Sequence, residues 1–374
     1  WHDPLDEIKL ERRLLADSLE KARIYYLAQQ TDLGNFVYSQ DVFKNESSND
    51  DNQVRQAGAL WGLACLNRDR PTPVTARAVI RGLQFFIDNS RPLGFGRIGP
   101  VYPGEDEIKT GTVALITLSF VELWRGEEAY LTRMGRGLCA AWLDNYLSYL
   151  SGMEMDNGSW GRAYWISRNE REPASSPYYD GEALLAYCRA ARYGDHGDLI
   201  PKIEKIAPLL AQRYTVEAWR INPDSEDTKG FFQWGCMAFL EYVEAGWKDA
   251  DVMGDACLAL AWWQIHRRNV EAREANTAYA VEGLLAAYRV AEIRQDKEAM
   301  ALIRSTVERM LVQQISTQVG GPLEKLNFLL STRPYRPECV GGIMYAPWIG
   351  QIRIDVVQHQ VHAMLMALQY LYPN

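Results

Sequence analysis

Six stretches of the chain share one pattern, a small residue followed by an unbroken apolar run: Gly58-Ala59-Leu60-Trp61, Ala114-Leu115-Ile116, Ala183-Leu184-Leu185, Ala238-Phe239-Leu240, Gly283-Leu284-Leu285 and Ala363-Met364-Leu365. Between them lie segments whose apolar positions also recur at helical spacing but whose remaining positions are charged. A helix that is apolar all round is buried, whereas one with an apolar stripe covers a core and faces water. Six of the first kind alternating with six of the second predict twelve helices in a closed double ring, the even-numbered ones inside.

The periodicity places helices at about 4–30, 53–67, 73–89, 110–125, 128–151, 179–193, 197–216, 231–246, 251–268, 274–294, 296–317 and 355–372. Thr72-Pro73 supplies a capping hydroxyl and a first-turn proline, while Gly126 and Gly246 close helices. The links after even-numbered helices are short. Those before them are long (31–52, 91–109, 152–178, 217–230 and 318–354), the link at 269–273 excepted. Long connections are uncommon in compact folds unless they serve something. The spare chain therefore gathers at the face where the inner helices begin. Three patches in these loops read as short β-hairpins: 94–97, 158–165 (with a type I′ signal at Asn157-Gly158) and 341–345.

The helical pattern runs unbroken by any linker, so residues 1–374 read as one domain. The apolar runs recur at intervals from 45 to 80 residues, too irregular for a solenoid. The pattern resembles the (α/α)6 toroids of carbohydrate-active enzymes: glycoside hydrolases, polysaccharide lyases and uronyl epimerases. Pro177-Tyr178-Tyr179-Asp180-Gly181-Glu182-Ala183-Leu184-Leu185, Asn276-Thr277-Ala278-Tyr279-Ala280-Val281-Glu282-Gly283-Leu284 and Ile354-Asp355-Val356-Val357-Gln358-His359 are similar to a bacterial family of such toroids. The resemblance implies an all-α (α/α)6 toroid with short hairpins at one face and a poly- or oligosaccharide substrate.

Aligning the six inner helices on their small residue puts Ala57, Val113, Glu182, Met237, Glu282 and His362 at the preceding position. One turn earlier come Gln53, Lys109, Tyr178, Gln233, Ala278 and Gln358. An i, i+4 pair shares a helical face, so Tyr178/Glu182 and Gln358/His362 project together, with His359 beside them. Glycosidic cleavage needs a protonated carboxyl and a second carboxylate, and burial raises a carboxyl's pKa. Glu182 and Glu282 are the candidate acid/base pair with Asp156 in reserve, unless core ion pairs with Arg55, Lys109 or Arg273 occupy them. His359 and a tyrosine suit proton transfer beside a uronate carboxylate.

Tyr178, Tyr179, Trp160, Trp234, Gln233 and Gln358 are candidate substrate-binding residues, since sugars stack their CH faces on aromatic rings. Arg55, Lys109, Arg162, Arg273, Asn276 and Arg336 would line a cationic mouth suited to uronates. A glycoside hydrolase acting on a bacterial polysaccharide or oligosaccharide leads. A uronate lyase or C5-epimerase, or a non-catalytic toroid bound to polysaccharide-assembly proteins, stands behind it.

A net charge of −8 with no basic stripe argues against nucleic acid. No apolar run reaches ~20 residues, the length of a membrane span. The six cysteines form no CxxC and read as buried thiols. His359-x2-His362 lacks a third ligand, so neither a metal nor a cofactor is expected. The chain opens at Trp1 rather than Met, which suggests a processed or trimmed chain and leaves room for a removed signal or anchor; a periplasmic or extracellular setting is slightly favoured over a cytoplasmic one.

Overall fold

A computed structural model describes residues 4–44, 50–126 and 128–373; Trp1 lies outside them. Twelve principal helices form two concentric rings. The outer helices are α1 (Arg12–Gln29), α3 (Pro73–Asp88), α5 (Arg136–Met153), α7 (Ile200–Gln212), α9 (Ala250–Trp262) and α11 (Lys297–Ser316). The inner helices are α2 (Gln53–Asp69), α4 (Thr110–Arg125), α6 (Pro177–Tyr193), α8 (Glu226–Ala245), α10 (Ala278–Ile293) and α12 (Ile354–Tyr370). Each inner helix packs on the next, and α12 packs back on α2, closing the ring. Burial follows the sequence pattern: α4 is buried from Thr110 to Leu123, while α3 buries only one stripe.

Local chemistry sets several helix ends. Asn52, Thr72, Ser225 and Asp296 each accept a hydrogen bond from the backbone N–H three residues on, which satisfies a donor the helix leaves open. Gly246 closes α8 in the left-handed region at φ 64°. The long connections all meet the inner helices at their N-termini. They fold into three small antiparallel sheets: β1 (Ser39–Asp41) with β8 (Ile349–Arg353) and β7 (Met344–Ala346); β2 (Ser90–Pro92) with β3 (Ile98–Pro100); β4 (Glu107–Lys109) with β5 (Ala163–Trp165) and β6 (Glu170–Arg171).

Some expected boundaries move. The first helix starts at Arg12, after a 3-10 turn at Pro4–Glu7. The helix expected over 128–151 is two, because Gly135 adopts φ 94° between Glu128–Met134 and α5. Capping by Ser225 starts α8 five residues early, and α10 starts four residues late. Gly158 takes φ 82° while Asn157 keeps an ordinary negative φ, so that turn is not type I′. All six cysteines are free and buried.

The ring is tied at the end opposite the loops by buried ion pairs. Glu122 of α4, fully buried, meets Arg68 at 2.5 Å and Arg189 at 2.6 Å; Arg189 continues to Glu241 at 2.8 Å. Burial pushes the Glu122 carboxyl up, but Arg68, Arg189 and Arg125 outweigh it and hold the pKa at about 2.

Candidate active site

The N-termini of the inner helices surround a cavity of about 460 Å³. All six inner helices contribute to it: α2 through Arg55 and Gly58, α4 through Leu115, α6 through Tyr178, Tyr179 and Glu182, α8 through Lys229 and Trp234, α10 through Tyr279, and α12 through Asp355, Gln358 and His359. The loop before α10 adds Arg273 and Asn276, and the β7–β8 region adds Tyr345 and Arg353. Tyr178 is 41 % exposed at the rim, whereas Glu182 is 3 % and His359 7 % exposed. The titratable groups therefore sit in the depth of the cavity.

Glu182 has an unusual environment. Its Oε2 has no hydrogen-bond partner and is buried. Burial alone holds its pKa well above the ordinary carboxyl range, which favours the protonated form. Gly111 of α4 makes room for it: a Cβ there would lie 2.3 Å from Glu182 Oε2 and 2.5 Å from the Tyr179 ring.

Glu282 occupies the equivalent position on α10 but meets different neighbours. Its Oε2 lies 2.8 Å from His359 Nδ1 and its Oε1 2.7 Å from His362 Nδ1. Gln233 Nε2 also donates to Oε2. A carboxylate only accepts, so the tautomer of each imidazole that fits Glu282 carries its proton on Nδ1; the Nε2 amides of Gln233 and Gln358 lie 3.1 and 3.3 Å from the same nitrogen of His359. The Nε2 of His359 then carries the lone pair, and among the described residues no group bonds it. Tyr279 stands edge-on to the His359 ring, 5.4 Å between centroids at 88°. His362 lies deeper, 4.4 Å from the Trp61 ring; burial lowers its pKa against the opposing pull of Glu282.

The structure brings Glu182, His359, Arg55, Tyr178, Tyr179, Trp234, Arg273, Asn276 and Gln358 to one cavity. It separates others. Glu282 is fully buried behind the histidines with both oxygens engaged, so it does not face Glu182 as a second catalytic carboxylate. Gln233 is sealed beside it. Asp156 is exposed on a turn outside the cavity. Trp160 is fully buried, edge-on to Tyr187 at 5.4 Å, and is core rather than a sugar platform. Arg162 pairs with Glu172 at 2.7 Å, and Lys109 pairs with Glu107 at 3.2 Å and Glu105 at 3.5 Å. Arg336 pairs with Glu338 at 2.6 Å and braces the carbonyls of Asp41 and Lys44.

Asp355 and Asp180 were not singled out from the sequence. Asp355 receives Arg353 through two bonds of 3.0 and 2.7 Å and lies 3.5 Å from Arg55; its place one turn before His359 was the available signal. Asp180 accepts from Ser159 Oγ, Trp160 N and Tyr214 Oη at 2.7, 2.9 and 2.6 Å. It pins the 155–160 turn to α6. Burial raises its pKa to about 6 against those bonds.

Solved structures align with this architecture over nearly the whole chain. A D-mannose isomerase matches with TM-score 0.65 at 11% identity, covering 96% of this chain and 98% of its own. The cellobiose 2-epimerase of Spirochaeta thermophila matches at 0.62 and 15% identity, covering 96% of both chains. A family 76 α-mannanase of Bacteroides thetaiotaomicron matches at 0.59 and 10% identity, again covering 96% of both. The chain has the (α/α)6 toroid fold. No protein-family model matches it, and no curated protein matches its sequence. Among the described residues of the toroid, no helix is long and apolar enough to cross a membrane.

Proposed function

We propose that this toroid is a carbohydrate-active enzyme that transfers a proton at a carbon beside a sugar carbonyl, an isomerase or epimerase, with His359 as base and Glu182 as acid. The observation that carries the reading is the His359–Glu282 contact. A carboxylate behind Nδ1 fixes the tautomer whose Nε2 accepts a proton and stabilises the imidazolium once it forms. Glu182, neutral and unpaired, is suited to protonate the carbonyl oxygen as the C–H bond breaks. The sugar then passes through an enediol. Return of the proton from His359 to the neighbouring carbon, with the Glu182 carboxylate taking back a proton from the hydroxyl on the carbon that becomes the new carbonyl, gives the isomeric ketose; return to the original carbon from the opposite face, with Glu182 recovering the proton it gave, gives the epimer. A single imidazole lines the described cavity, which suits transfer along one face and so favours isomerisation. Two of the structural neighbours above bear the names of an isomerase and an epimerase, which supports the reaction class without fixing it.

The test is incubation of aldoses and uronic acids with the protein in D2O, followed by NMR for deuterium at C2 and for new ketose or epimer signals. Exchange lost in His359→Gln supports the reading. Hydrolysis is the second reading, supported by the high pKa of Glu182 as a leaving-group acid. New reducing ends from a polysaccharide without solvent exchange would replace the first reading with it.

A further inference from the structure

The cavity lining carries an excess of positive charge that the protein's own groups leave unmatched. Four cationic side chains reach it: Arg55, Lys229, Arg273 and Arg353. Arg55 and Arg353 share the single carboxylate of Asp355. Lys229 is matched by Glu226 at 2.7 Å. Arg273 is different: among the described residues no carboxylate pairs with it. Its Nε donates to the carbonyl of Ala275 at 2.9 Å, which holds the guanidinium plane, and the residue lines the cavity. Its Cζ lies 5.6 Å from the centroid of Tyr279, the same ring that stands edge-on to His359. Arg273 and His359 are thus one aromatic ring apart.

The remaining acid in the cavity, Glu182, pairs with none of these cations: its buried Oε2 has no partner, and burial favours its neutral form. The chain as a whole is acidic, at −8, so a cationic pocket is not a by-product of its composition. Asn276, beside Arg273, adds a polar group prepared for a ligand. It holds a left-handed φ of 45°, its N–H is tied to the Tyr345 carbonyl at 2.9 Å, and its buried Oδ1 has no partner.

We propose that the cavity takes a sugar bearing an anionic group, held by Arg273, while His359 acts at the other end of the same sugar. This rests on the proton-transfer reading for the second half only. A guanidinium presents a fork of N–H donors matched to a carboxylate or phosphate oxygen pair, and a fixed cation in a partly desolvated pocket selects against neutral sugars that leave it unmatched. The shared chemistry is an anion on the sugar, with the carboxylate of a uronic acid as the first source to test and a phosphate ester as the second.

The experiment is calorimetric titration of the intact protein with D-glucuronate, D-galacturonate and D-mannuronate, each against its neutral hexose, and with mannose 6-phosphate against mannose. Wild type, Arg273→Gln and Arg273→Lys are compared after their melting curves are matched. At least one anionic sugar is expected to bind about 10- to 100-fold tighter than its neutral partner, the scale of a charge-assisted contact. That preference should vanish in Arg273→Gln, survive in part in Arg273→Lys and shrink as salt rises. Binding led by the uronates or by the phosphate ester identifies the anion. Equal binding in every anionic–neutral pair, or a preference retained by a well-folded Arg273→Gln, overturns the proposal. Arg273-dependent binding without deuterium exchange leaves the anion site standing and removes the proton-transfer reading; exchange on a neutral sugar alone does the reverse.

Discussion

Replacing Glu282 by Gln tests the site at its least visible member. Both carboxylate oxygens are engaged, at 2.8 Å by His359 Nδ1 and at 2.7 Å by His362 Nδ1. An amide of the same shape offers one acceptor oxygen and one NH2 group, so it satisfies one imidazole and confronts the other with a donor. If the NH2 faces His359, that ring accepts at Nδ1 and carries its proton on Nε2, where the cavity needs a lone pair. If the oxygen faces His359, the tautomer survives but the negative charge that stabilises the imidazolium is gone. Either outcome removes much of a general base's contribution, which is about 10²–10⁴ in rate.

Glu282 lines no part of the cavity, so KM should change by less than about threefold while kcat falls, the signature of an interaction made only in the transition state. Folding stability should fall by about 1.5–3 kcal/mol, the value of one charged hydrogen bond. The assay is deuterium uptake into the substrate identified above, with urea unfolding in parallel. A variant that keeps kcat within about fivefold of wild type, or that loses KM and keeps kcat, would refute the idea that Glu282 sets the state of His359.

Glu182→Gln bears on pH. The folded-state pKa of Glu182 is raised, so the native protein holds a proton that the unfolded chain releases, and wild-type stability should fall as pH rises above the unfolded carboxyl value, by up to about 1.4 kcal/mol per pH unit. Gln should flatten that slope and abolish exchange; parallel stability curves from pH 5 to pH 8 would contradict it. Glu122 has the opposite sign. Its pKa of about 2 means stability that is present at neutral pH and lost as pH falls from the unfolded carboxyl range through that value. Glu122→Gln should cost about 3–5 kcal/mol at pH 7, by leaving Arg68 and Arg189 buried with a broken partner, and should blunt the acid transition; an unchanged urea midpoint at neutral pH would count against it. Gly111→Ala places a Cβ 2.3 Å from Glu182 Oε2 and 2.5 Å from the Tyr179 ring. It should destabilise by about 1–3 kcal/mol and lower activity together, and an unaltered melting curve would show that the pocket yields.

The ring architecture was legible because burial through the middle of each inner helix is nearly complete. Leu60, Leu115, Leu184, Phe239, Leu284 and Leu365 follow one rule, and nothing in their surroundings competes with it. The face carrying the site was legible too, since loop length is counted directly from sequence. The register gave Tyr178 with Glu182 on α6 and Gln358 with His362 on α12, with His359 beside that face; His362 lies below the cavity and His359 lines it. The register failed where a side chain's fate depends on a neighbour that sequence does not place. Glu182 and Glu282 occupy the same ring position, yet Gly111 gives one an empty apolar slot and α12 gives the other two imidazoles. Trp160 looked like a loop platform because its turn is Gly-rich; Asp180, from α6, draws that turn into the core. Arg162, Lys109 and Arg336 looked like a cationic mouth until nearby acids were placed beside them.

Three carboxyls within one ring therefore take three states, and what each faces decides which. Glu122 meets several guanidinium groups and stays ionised despite full burial. Glu282 meets two Nδ1–H groups and an amide. Glu182 meets a glycine and an aromatic ring, and keeps its proton. The first belongs to the sealed end of the toroid, where a charge network joins the helices. The third belongs to the open end, where an unpaired group is tolerable only if a ligand completes it. Between them the axis of the ring runs from His362 through Glu282 to His359, so the charge that steadies the base is shielded from solvent by the inner helices themselves. That separation explains why a polar site can exist inside six apolar helices: burial favours the neutral form of its orphaned acid, Asp355 is met by Arg353 and Arg55, and Glu282 by two imidazoles.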